Sequence, residues 1–459
     1  MIVECYHLNY EVTLVFSNLY HNIFIEDCKI KCLIYVRGCN KIDLSDFLNR
    51  LTKADNLFEN FKVNFMKNKD KVNRCNKCNL PETYETIEFD QENVCNICNG
   101  AKYKQTKIDW NERKKLLDQL IEKHRGKYSY DCIVPFSGGK DSTFQLYYLM
   151  KNYSIKPLVV RFNHGFFRET VLKNGIRTLR KLGADFIEFT PNWKIVKRLM
   201  LESFKRKTDF CWHCHTGIFS YPLRLALLYK VPLIFYGEPS AEFHNYYDYV
   251  NDKIDYYDSK KFNMLHNLGI TAEDMHGMIN TKENPIDKRD LIPYTFPNLK
   301  ELTELKYQPV ALGSFIPWDH VKHTEIIKKE LGWEVDELEH VPKELNQHGE
   351  KTECFMQGAR DYIKWLKRGY SRVSQINGFL VRNGKMEPKI AKELDEKYDG
   401  IKPRSLEIFL EYMGLSEKEF NEIIDTMVIP PHKANFKNNK FSKKLWDYDQ
   451  WYREDNRKK

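Results

Sequence analysis

A glycine-rich hexapeptide is the part of this sequence best suited to chemistry. Residues 137–142 read Ser-Gly-Gly-Lys-Asp-Ser, and they directly follow an apolar run at residues 132–136. Residues 143–150 have the pattern of a helix, so the hexapeptide is predicted to connect a strand to a helix N-terminus. Backbone N–H groups at such a junction bind anions, and adjacent glycines let the backbone approach a pyrophosphate closely. The spacing therefore predicts a phosphate-binding loop.

The order of residues in the loop distinguishes two kinds of nucleotide site. A Walker A loop has the order G-x-x-x-x-G-K-[ST], which is absent here. The hexapeptide resembles the PP-loop of the ATP pyrophosphatases, which split ATP into AMP and pyrophosphate; an ordinary Ser-Gly-Gly turn is the alternative interpretation. The predicted ATP-binding residues are Phe136, Ser137, Gly138, Gly139, Lys140, Asp141, Ser142 and His164. ATP and Mg²⁺ are the predicted cofactors, with Asp141 as the metal ligand and Lys140 as a second catalytic residue.

Two C-x₂-C pairs predict a second kind of site. Cys75 and Cys78 are separated from Cys95 and Cys98 by sixteen residues, a spacing typical of zinc ribbons. Four thiolates close a tetrahedral site with no open position, so its role is predicted to be structural, with Zn²⁺ bound. Four unliganded thiols are the alternative.

A third cluster, Cys-Trp-His-Cys-His, occupies residues 211–215. Cys211 and Cys214 could hold a second metal or form a redox pair, and His215 could contact a substrate. A packed turn without chemistry is the alternative. Cys354 is a distant candidate for a third ligand.

The pattern around these motifs indicates how they are positioned. From residue 131 to 236, predicted strands alternate with predicted helices, including a strand at 233–236 and a helix that begins near residue 216. This alternation predicts an α/β fold with a parallel, doubly wound sheet, in which ligands lie at the carboxyl ends of strands. His164 and Glu238 each follow such a strand. We therefore expect His164 near the nucleotide and Glu238 as a catalytic contact of metal or substrate.

Composition and charge limit the partners and the cellular location that can be expected for this protein. The 459 residues carry a net charge of +9, of which +5 falls in residues 433–459, so the body is close to neutral and nucleic acid is an unlikely partner. No uncharged apolar run approaches the ~20 residues of a membrane span, and the N-terminus has no signal-peptide layout. A cytoplasmic location is expected, in which the 12 cysteines serve as metal ligands or free thiols.

Changes in pattern along the chain predict five segments. Within the first, strand character appears at residues 11–16 and 28–36, and a short helix is expected at residues 43–51. A strand and turn are expected at residues 312–319. The predicted segments are an N-terminal module of unknown role (1–70), a Cys₄ zinc ribbon (71–106), a PP-loop α/β domain (107–320) with an insertion (241–310), a helical C-terminal region (321–430) and a basic aromatic tail (431–459).

Over residues 73–428 the sequence resembles the N-acetyl sugar amidotransferases of the WbpG/PseA type. The residues that carry the resemblance are the Cys₄ ribbon before the PP-loop, Cys-Trp-His-Cys-His-Thr-Gly-Ile at 211–218, Tyr-Gly-Glu-Pro at 236–239, Gly-Ser-Phe-Ile-Pro-Trp-Asp at 313–319 and Gly-Glu-Lys-Thr-Glu-Cys at 349–354. The resemblance implies that an acetamido group of a bacterial surface-glycan sugar becomes an acetamidino group. His215 and Lys351 are then expected to contact the sugar.

The implied reaction explains the need for ATP. An amide oxygen is a poor leaving group, and transfer of AMP onto it gives an O-adenylyl imidate that ammonia attacks, releasing AMP. The family takes ammonia from a separate glutaminase, often with a synthase-like third subunit, and no glutaminase signature is present in this chain. Two rivals stay open: a tRNA-modifying PP-loop enzyme of the thiolase or lysidine synthetase type, and a non-catalytic zinc-ribbon scaffold.

Overall fold

The computed structural model describes residues 72–242, 247, 249–250, 253–438 and 440–442, together with the backbone of three strands nearer the N-terminus. The chain forms two compact units, Met1–Asp70 and Lys71–Lys459. In the first unit, strands β1 (Ile2–His7), β2 (Tyr10–Val15) and β3 (Cys32–Leu33) form an antiparallel sheet in the order β2-β1-β3. β2 and β3 overlap the two predicted strands, β1 was not predicted, and the helix expected at residues 43–51 lies outside the described residues.

The second unit contains the predicted parallel sheet. Its strands follow the order β6-β5-β4-β7-β8, and every neighbouring pair is parallel. The chain runs from β4 outward to β6 and then returns to β7 beside β4, so the topological switch point lies between β4 and β7. The strands are β4 (Cys132–Pro135), β5 (Pro157–Phe162), β6 (Asp185–Phe189), β7 (Leu233–Tyr236) and β8 (Gln308–Ala311).

Helices cover both faces of this sheet. Alternate residues of β4 enter two different cores because successive side chains of a strand point to opposite faces. Val134 packs with the helix Lys140–Tyr153 on one face, whereas Ile133 packs with the helix Trp212–Tyr229 on the other. The doubly wound α/β class is therefore confirmed.

The helices have the following bounds. The α-helices are Asn96–Thr106, Trp110–His124, Lys140–Tyr153, Glu169–Leu182, Trp193–Lys207, Trp212–Tyr229, Ser259–Lys261, Ala272–Ile279, Leu299–Leu305, His320–Leu331, Lys343–Asn346, Gln357–Arg368, Arg372–Arg382, Pro388–Tyr398, Ser405–Met413 and Glu417–Asp425. Ser240–Glu242, Lys288–Tyr294 and Leu312–Ser314 are 3₁₀ helices, and Phe262–His266 is a π-helical turn. None of the helices in the described residues is long and apolar enough to cross a membrane.

Two local predictions were wrong. The helix Trp212–Tyr229 begins four residues earlier than residue 216, so the Cys-Trp-His-Cys-His cluster forms its N-cap and first turn rather than preceding it. The strand predicted from residue 312 lies at β8 (Gln308–Ala311), inside the segment interpreted as an insertion. Pro309 concealed this strand in the sequence, but β8 is at the edge of the sheet, where proline is tolerated.

The C-terminal region is helical, as predicted, and packs against the rest of the unit through an apolar core. Phe204 of the helix Trp193–Lys207 is fully buried and stacks on Phe420, with ring centroids 5.5 Å apart. The ribbon segment also contacts this region through hydrogen bonds. Arg74 donates to the carbonyl of Gly369 at 2.8 Å, and Asn79 donates to Asp395 at 2.8 Å. Ribbon and C-terminal helices therefore stabilise each other.

Candidate nucleotide and metal site

The predicted phosphate loop lies between β4 and the helix Lys140–Tyr153. Gly138 has a φ of +88°, a left-handed conformation that favours glycine. The N–H groups of Ser137 and Gly138 both donate to Ser142 Oγ at 3.2 Å, and Gly139 N–H donates to Ser137 Oγ at 3.1 Å. Gly139 is the N-cap residue and supplies no side-chain cap, so the helix N-terminus is left for another acceptor. The hydroxyl groups of Ser137 and Ser142 therefore stabilise the loop through hydrogen bonds to its own backbone.

Another segment of the chain packs directly against Gly139. A Cβ atom on Gly139 would overlap the carboxylate of Glu353. Glu353 therefore lies directly against the loop, at the point where an incoming phosphate would meet the backbone. Burial raises the pKa of Glu353, and the charge of Lys351 only partly offsets this effect.

Lys140 lies at the centre of a buried charge cluster. Its side chain is 2% exposed, and Nζ is 2.7 Å from Asp141 Oδ2 and 2.8 Å from Glu350 Oε1. Nζ also contacts the Nδ1 atom of His320. Because Lys140 already has these partners, its ammonium group must exchange some of them to contact a phosphate.

Burial and neighbouring charges compete in setting the protonation of this cluster. Burial disfavours charge on Lys140, but Asp141, Glu350 and Glu238 outweigh it and raise the pKa of Lys140. Burial likewise works against the Asp141 carboxylate, and Lys140 and His320 outweigh it and hold the pKa of Asp141 well below its usual range. Glu350 has a lowered pKa because Lys140 and His320 outweigh its burial. Lys140 is therefore cationic and the two carboxylates are ionised.

Three side chains of the cluster could hold a metal ion. One ligand atom from each of Asp141, Glu238 and His320 lies within 4.8 Å of the others. His320 Nε2 is 3.1 Å from Glu238 Oε1, and its Nδ1 is 3.4 Å from Asp141 Oδ1. Glu350 Oε2, a buried carboxylate oxygen beside this group, makes no hydrogen bond, which is a reason to expect a cation there. The carboxylates suit Mg²⁺, and the imidazole extends the choice to first-row transition metals.

The structure brings together the three predicted catalytic residues Asp141, Lys140 and Glu238. Glu238 follows β7, beside the loop that follows β4, because the switch point places both strand ends at the same crevice. Lys351 joins them, with Nζ 3.8 Å from Glu238 Oε2, and Glu238 and Glu353 outweigh its burial and raise its pKa.

Sequence reasoning missed His320, Glu350 and Glu353. His320 opens the helix His320–Leu331, directly after Asp319, whose carboxylate caps that helix. Its position after the predicted Gly-Ser-Phe-Ile-Pro-Trp-Asp segment was the available signal. Glu350 and Glu353 lie in the 349–354 segment, where only Lys351 was assigned a role.

His164 lies beside His213, which is in the first turn of the helix Trp212–Tyr229 that also carries His215. The carbonyl oxygen of His164 is 3.3 Å from His213 Nε2, and the N–H of Phe166 donates to His164 Nδ1 at 3.2 Å. Burial, with help from nearby positive charge, lowers the pKa of His164 and of His215 to about 3, so both are neutral. Cys211 and Cys214 lie at the start of the same helix.

The four ribbon cysteines form a compact, buried group. Cys75 Sγ is 4.0 Å from Cys98 Sγ, and Cys78 Sγ is 3.6 Å from Cys95 Sγ. All four sulfurs lie within 4.8 Å of one another. This arrangement can hold one metal ion, and four sulfur ligands suit tetrahedral Zn²⁺ or iron.

Comparison with known proteins identifies the C-terminal part of the chain. Residues 349–451 match the family model of the C-terminal domain of WbpG-like LPS biosynthesis proteins. An uncharacterised protein of Methanocaldococcus jannaschii is 23% identical over 190 residues, which is 41% of this chain and 64% of that protein. The match to the family model confirms the predicted resemblance to WbpG-type proteins for the C-terminal region.

Two solved structures are similar at a low level. NMN synthetase from Francisella tularensis matches with 10% identity and a TM-score of 0.25, over 44% of this chain and 94% of its own. The U34-tRNA thiolase NcsA from Methanococcus maripaludis, solved with its [4Fe-4S] cluster, matches with 12% identity and a TM-score of 0.29, over 76% of this chain and 91% of its own. At these TM-scores, neither structure carries an argument about the chemistry of this chain.

Proposed function

We propose that this chain, with its WbpG-like C-terminal domain, is an ATP-dependent amidotransferase. It uses ATP to convert an acetamido group of a surface-glycan sugar, of the nonulosonate or N-acetyl uronate type, into an acetamidino group. AMP and pyrophosphate are the other products. Ammonia comes from a separate glutaminase subunit, and a synthase-like third subunit completes the complex.

One observation carries this proposal: the WbpG-like segment supplies part of the nucleotide site. Glu350 pairs with Lys140, Lys351 lies 3.8 Å from Glu238, and Glu353 packs on Gly139. All three residues lie at the beginning of the matched segment, which covers residues 349–451. A segment that matches LPS biosynthesis proteins therefore contributes to the same site as the phosphate loop, which favours a surface-glycan sugar over other acceptors.

The residues of this chain have complementary tasks in the reaction. The loop backbone and Lys140 provide fixed positive charge where negative charge develops on the phosphates, which lowers the barrier most effectively in a buried site. Asp141 and Glu238, with His320, would hold the divalent cation, which neutralises phosphate charge when bound. Holding the amide oxygen against the α-phosphate supplies a further large part of the rate. No covalent nucleophile is required.

The Cys₄ group has a structural task in this proposal. We assign Zn²⁺ to it, because four thiolates leave no position for substrate. Its contacts with Gly369 and Asp395 then hold the C-terminal helices in place.

AMP release from ATP, with ammonium as the nitrogen source, tests the proposal. A panel of acetamido sugars, free and nucleotide-linked, is compared with bulk tRNA. The expected result is AMP only with an acetamido sugar, and a product lighter by the difference between an oxygen atom and an NH group. The Asp141→Asn variant should abolish AMP formation, whereas Glu330→Gln, a change at an exposed position, should not. AMP formation with tRNA alone would overturn the proposal in favour of base modification.

A further inference from the structure

A buried lysine of the ribbon has no part in the proposed amidation. Lys104 lies in the last turn of the helix Asn96–Thr106, and its side chain is only 7% exposed. Lys102, on the same helix, is exposed. Burying an ammonium group costs free energy unless the group is paired and hydrogen-bonded. The partners of Lys104 therefore indicate what its burial achieves.

The ammonium group of Lys104 connects two segments that are distant in the sequence. Its Nζ is 2.7 Å from Glu242 Oε1, and it donates to the carbonyl oxygen of Trp318 at 3.2 Å. The Glu242 side chain is 5% exposed, and Tyr249 Oη donates to the same carboxylate oxygen at 2.6 Å. Burial works against an ionised Glu242, but Lys104 and His320 outweigh it and lower its pKa. Lys104 and Glu242 therefore form a buried ion pair.

The two connected segments carry two of the three candidate cation ligands. Glu242 lies four residues after Glu238, and Trp318 lies two residues before His320. Glu238 Oε1 and His320 Nε2 are 3.1 Å apart. The two segments lie beyond the neighbouring parallel strands β7 and β8. The separation of the two ligands therefore depends on how these segments are held together.

Other contacts join the same segments close to the strands. The N–H of Gly313 donates to the carbonyl of Gly237 at 3.0 Å, and a Cβ atom on Gly237 would lie 3.3 Å from the Trp318 ring. These contacts hold the start of the segment 237–242, and Lys104 holds its end at Glu242. The segment that carries Glu238 is thus joined to the segment 313–318 on both sides of the ligand.

Stability alone does not account for a buried ion pair at this position. Apolar side chains of similar volume often stabilise a buried site as well as an ion pair does, or better. An ammonium group differs from them because its three donors can bind acceptors on separate segments. At the other end of the same helix, Cys95 is the N-cap residue and accepts from the N–H of Cys98. One helix therefore extends from the Cys₄ group to the two segments of the cation site.

We infer that Lys104 is a positioning residue, which sets the separation of Glu238 and His320 and thereby the affinity of the cation site. The inference rests on the cation site of the proposed function, but it does not depend on which acceptor the enzyme modifies. It gives the ribbon helix a second task besides its contacts with the C-terminal helices. Replacing groups that orient metal ligands typically weakens metal binding about 10- to 100-fold.

Mn²⁺ binding to the full-length chain, measured by EPR without nucleotide or sugar, tests the inference. Mn²⁺ prefers carboxylate ligands to thiolates, so it reports on the cation site rather than on the Cys₄ group. Lys104→Met should raise the dissociation constant of Mn²⁺ about tenfold. Lys102→Met is the matched control, because it removes an exposed lysine of the same helix, and it should bind Mn²⁺ as the unaltered chain does.

A double variant separates positioning from stability. Lys104→Met alone leaves Glu242 buried without its cation, which destabilises the fold. Combining it with Glu242→Gln removes both charges, and this variant should keep the melting temperature and the metal of the Cys₄ group. It should still bind Mn²⁺ about tenfold more weakly. Mn²⁺ binding equal to that of the unaltered chain would overturn the inference.

Asp141→Asn distinguishes a failure of this inference from a failure of the proposed function. This variant should abolish Mn²⁺ binding, because it removes a ligand that the site cannot replace. Binding that survives Asp141→Asn, or no binding to the unaltered chain, would overturn the cation site and both proposals that use it. Binding that Asp141→Asn abolishes and the Lys104 variants leave unchanged would overturn the role of Lys104 alone.

Discussion

Replacing Glu350 by glutamine tests whether the WbpG-like segment stabilises the charge of the phosphate-loop lysine. Glu350 Oε1 lies 2.8 Å from Lys140 Nζ, and the two side chains are 6% and 2% exposed. The substitution keeps the size and the hydrogen-bond acceptor and removes only the negative charge. Lys140 then remains buried with one carboxylate at hydrogen-bond distance, that of Asp141 at 2.7 Å.

The magnitude follows from that geometry. Two unit charges 2.8 Å apart attract by about 6 kcal/mol at an effective dielectric constant of about 20. Removing one partner of a buried ion pair typically costs about 3–5 kcal/mol. Because Asp141 remains and the glutamine amide still accepts a hydrogen bond, we expect the lower end, about 3 kcal/mol. In a unit as large as Lys71–Lys459, this corresponds to a loss of roughly 5 °C in melting temperature.

Thermal unfolding and AMP release are measured on Glu350→Gln and on Glu330→Gln, which changes an exposed glutamate to glutamine. The control should change unfolding free energy by less than about 0.5 kcal/mol and leave activity intact. Glu350→Gln should lower the melting temperature and reduce AMP release, because Lys140 loses a partner that orients it. If the two variants were indistinguishable in both measurements, Glu350 would not support Lys140 and the reasoning from the charge cluster would be refuted.

Three further predictions concern the loop, the ribbon and a buried carboxylate pair. Gly139→Ala should reduce AMP release strongly, because its Cβ overlaps Glu353, and adding Glu353→Ala should restore thermal stability; no rescue would contradict the overlap. Cys75→Ser should release the ribbon metal, measured by metal analysis, and lower the melting temperature; an unchanged melting temperature would show that the ribbon does not stabilise the C-terminal helices. Burial and the neighbouring Asp399 raise the pKa of Asp395 to about 7, so its protonated form is favoured by folding, and stability should fall as pH rises from about 4 to 7, by up to about 4 kcal/mol. Asp395→Asn should flatten this slope in urea unfolding at several pH values, and an unchanged slope would contradict the assignment.

Much of the architecture was accessible from local sequence signals. The strand Leu233–Tyr236 has the predicted bounds, since a continuous apolar run is encoded in neighbouring residues. The helix Glu417–Asp425 begins with a capping box between Ser416 and Glu419, which is also a signal of neighbouring residues. The prediction of β8 failed because a local sequence signal conflicted with the position of the strand in the sheet. Pro309 argues against a strand, but the edge of the sheet accepts it.

The candidate site was predictable only in part, for a related reason. The loop residues 137–142 and the carboxylate Glu238 follow strands, so the rule for parallel sheets predicts that they lie at the same edge of the sheet. Within the 349–354 segment the sequence predicts a role only for Lys351, and His320 and Glu350 follow no strand at the crevice. Their roles depend on how the C-terminal region packs on the sheet, which no local pattern specifies.

The sequence by itself determined the elements and the kinds of chemistry in this protein: a phosphate loop between a strand and a helix, a doubly wound sheet and two pairs of cysteines spaced for one metal ion. These features depend on residues close together in the chain. The tertiary structure decided which distant residues meet them. His320, 180 residues from Lys140 along the chain, contacts it, and Glu350 pairs with the same lysine. The physical reason is that packing of the helical region against the carboxyl ends of the strands depends on the shape of the whole core, which short-range periodicity does not encode.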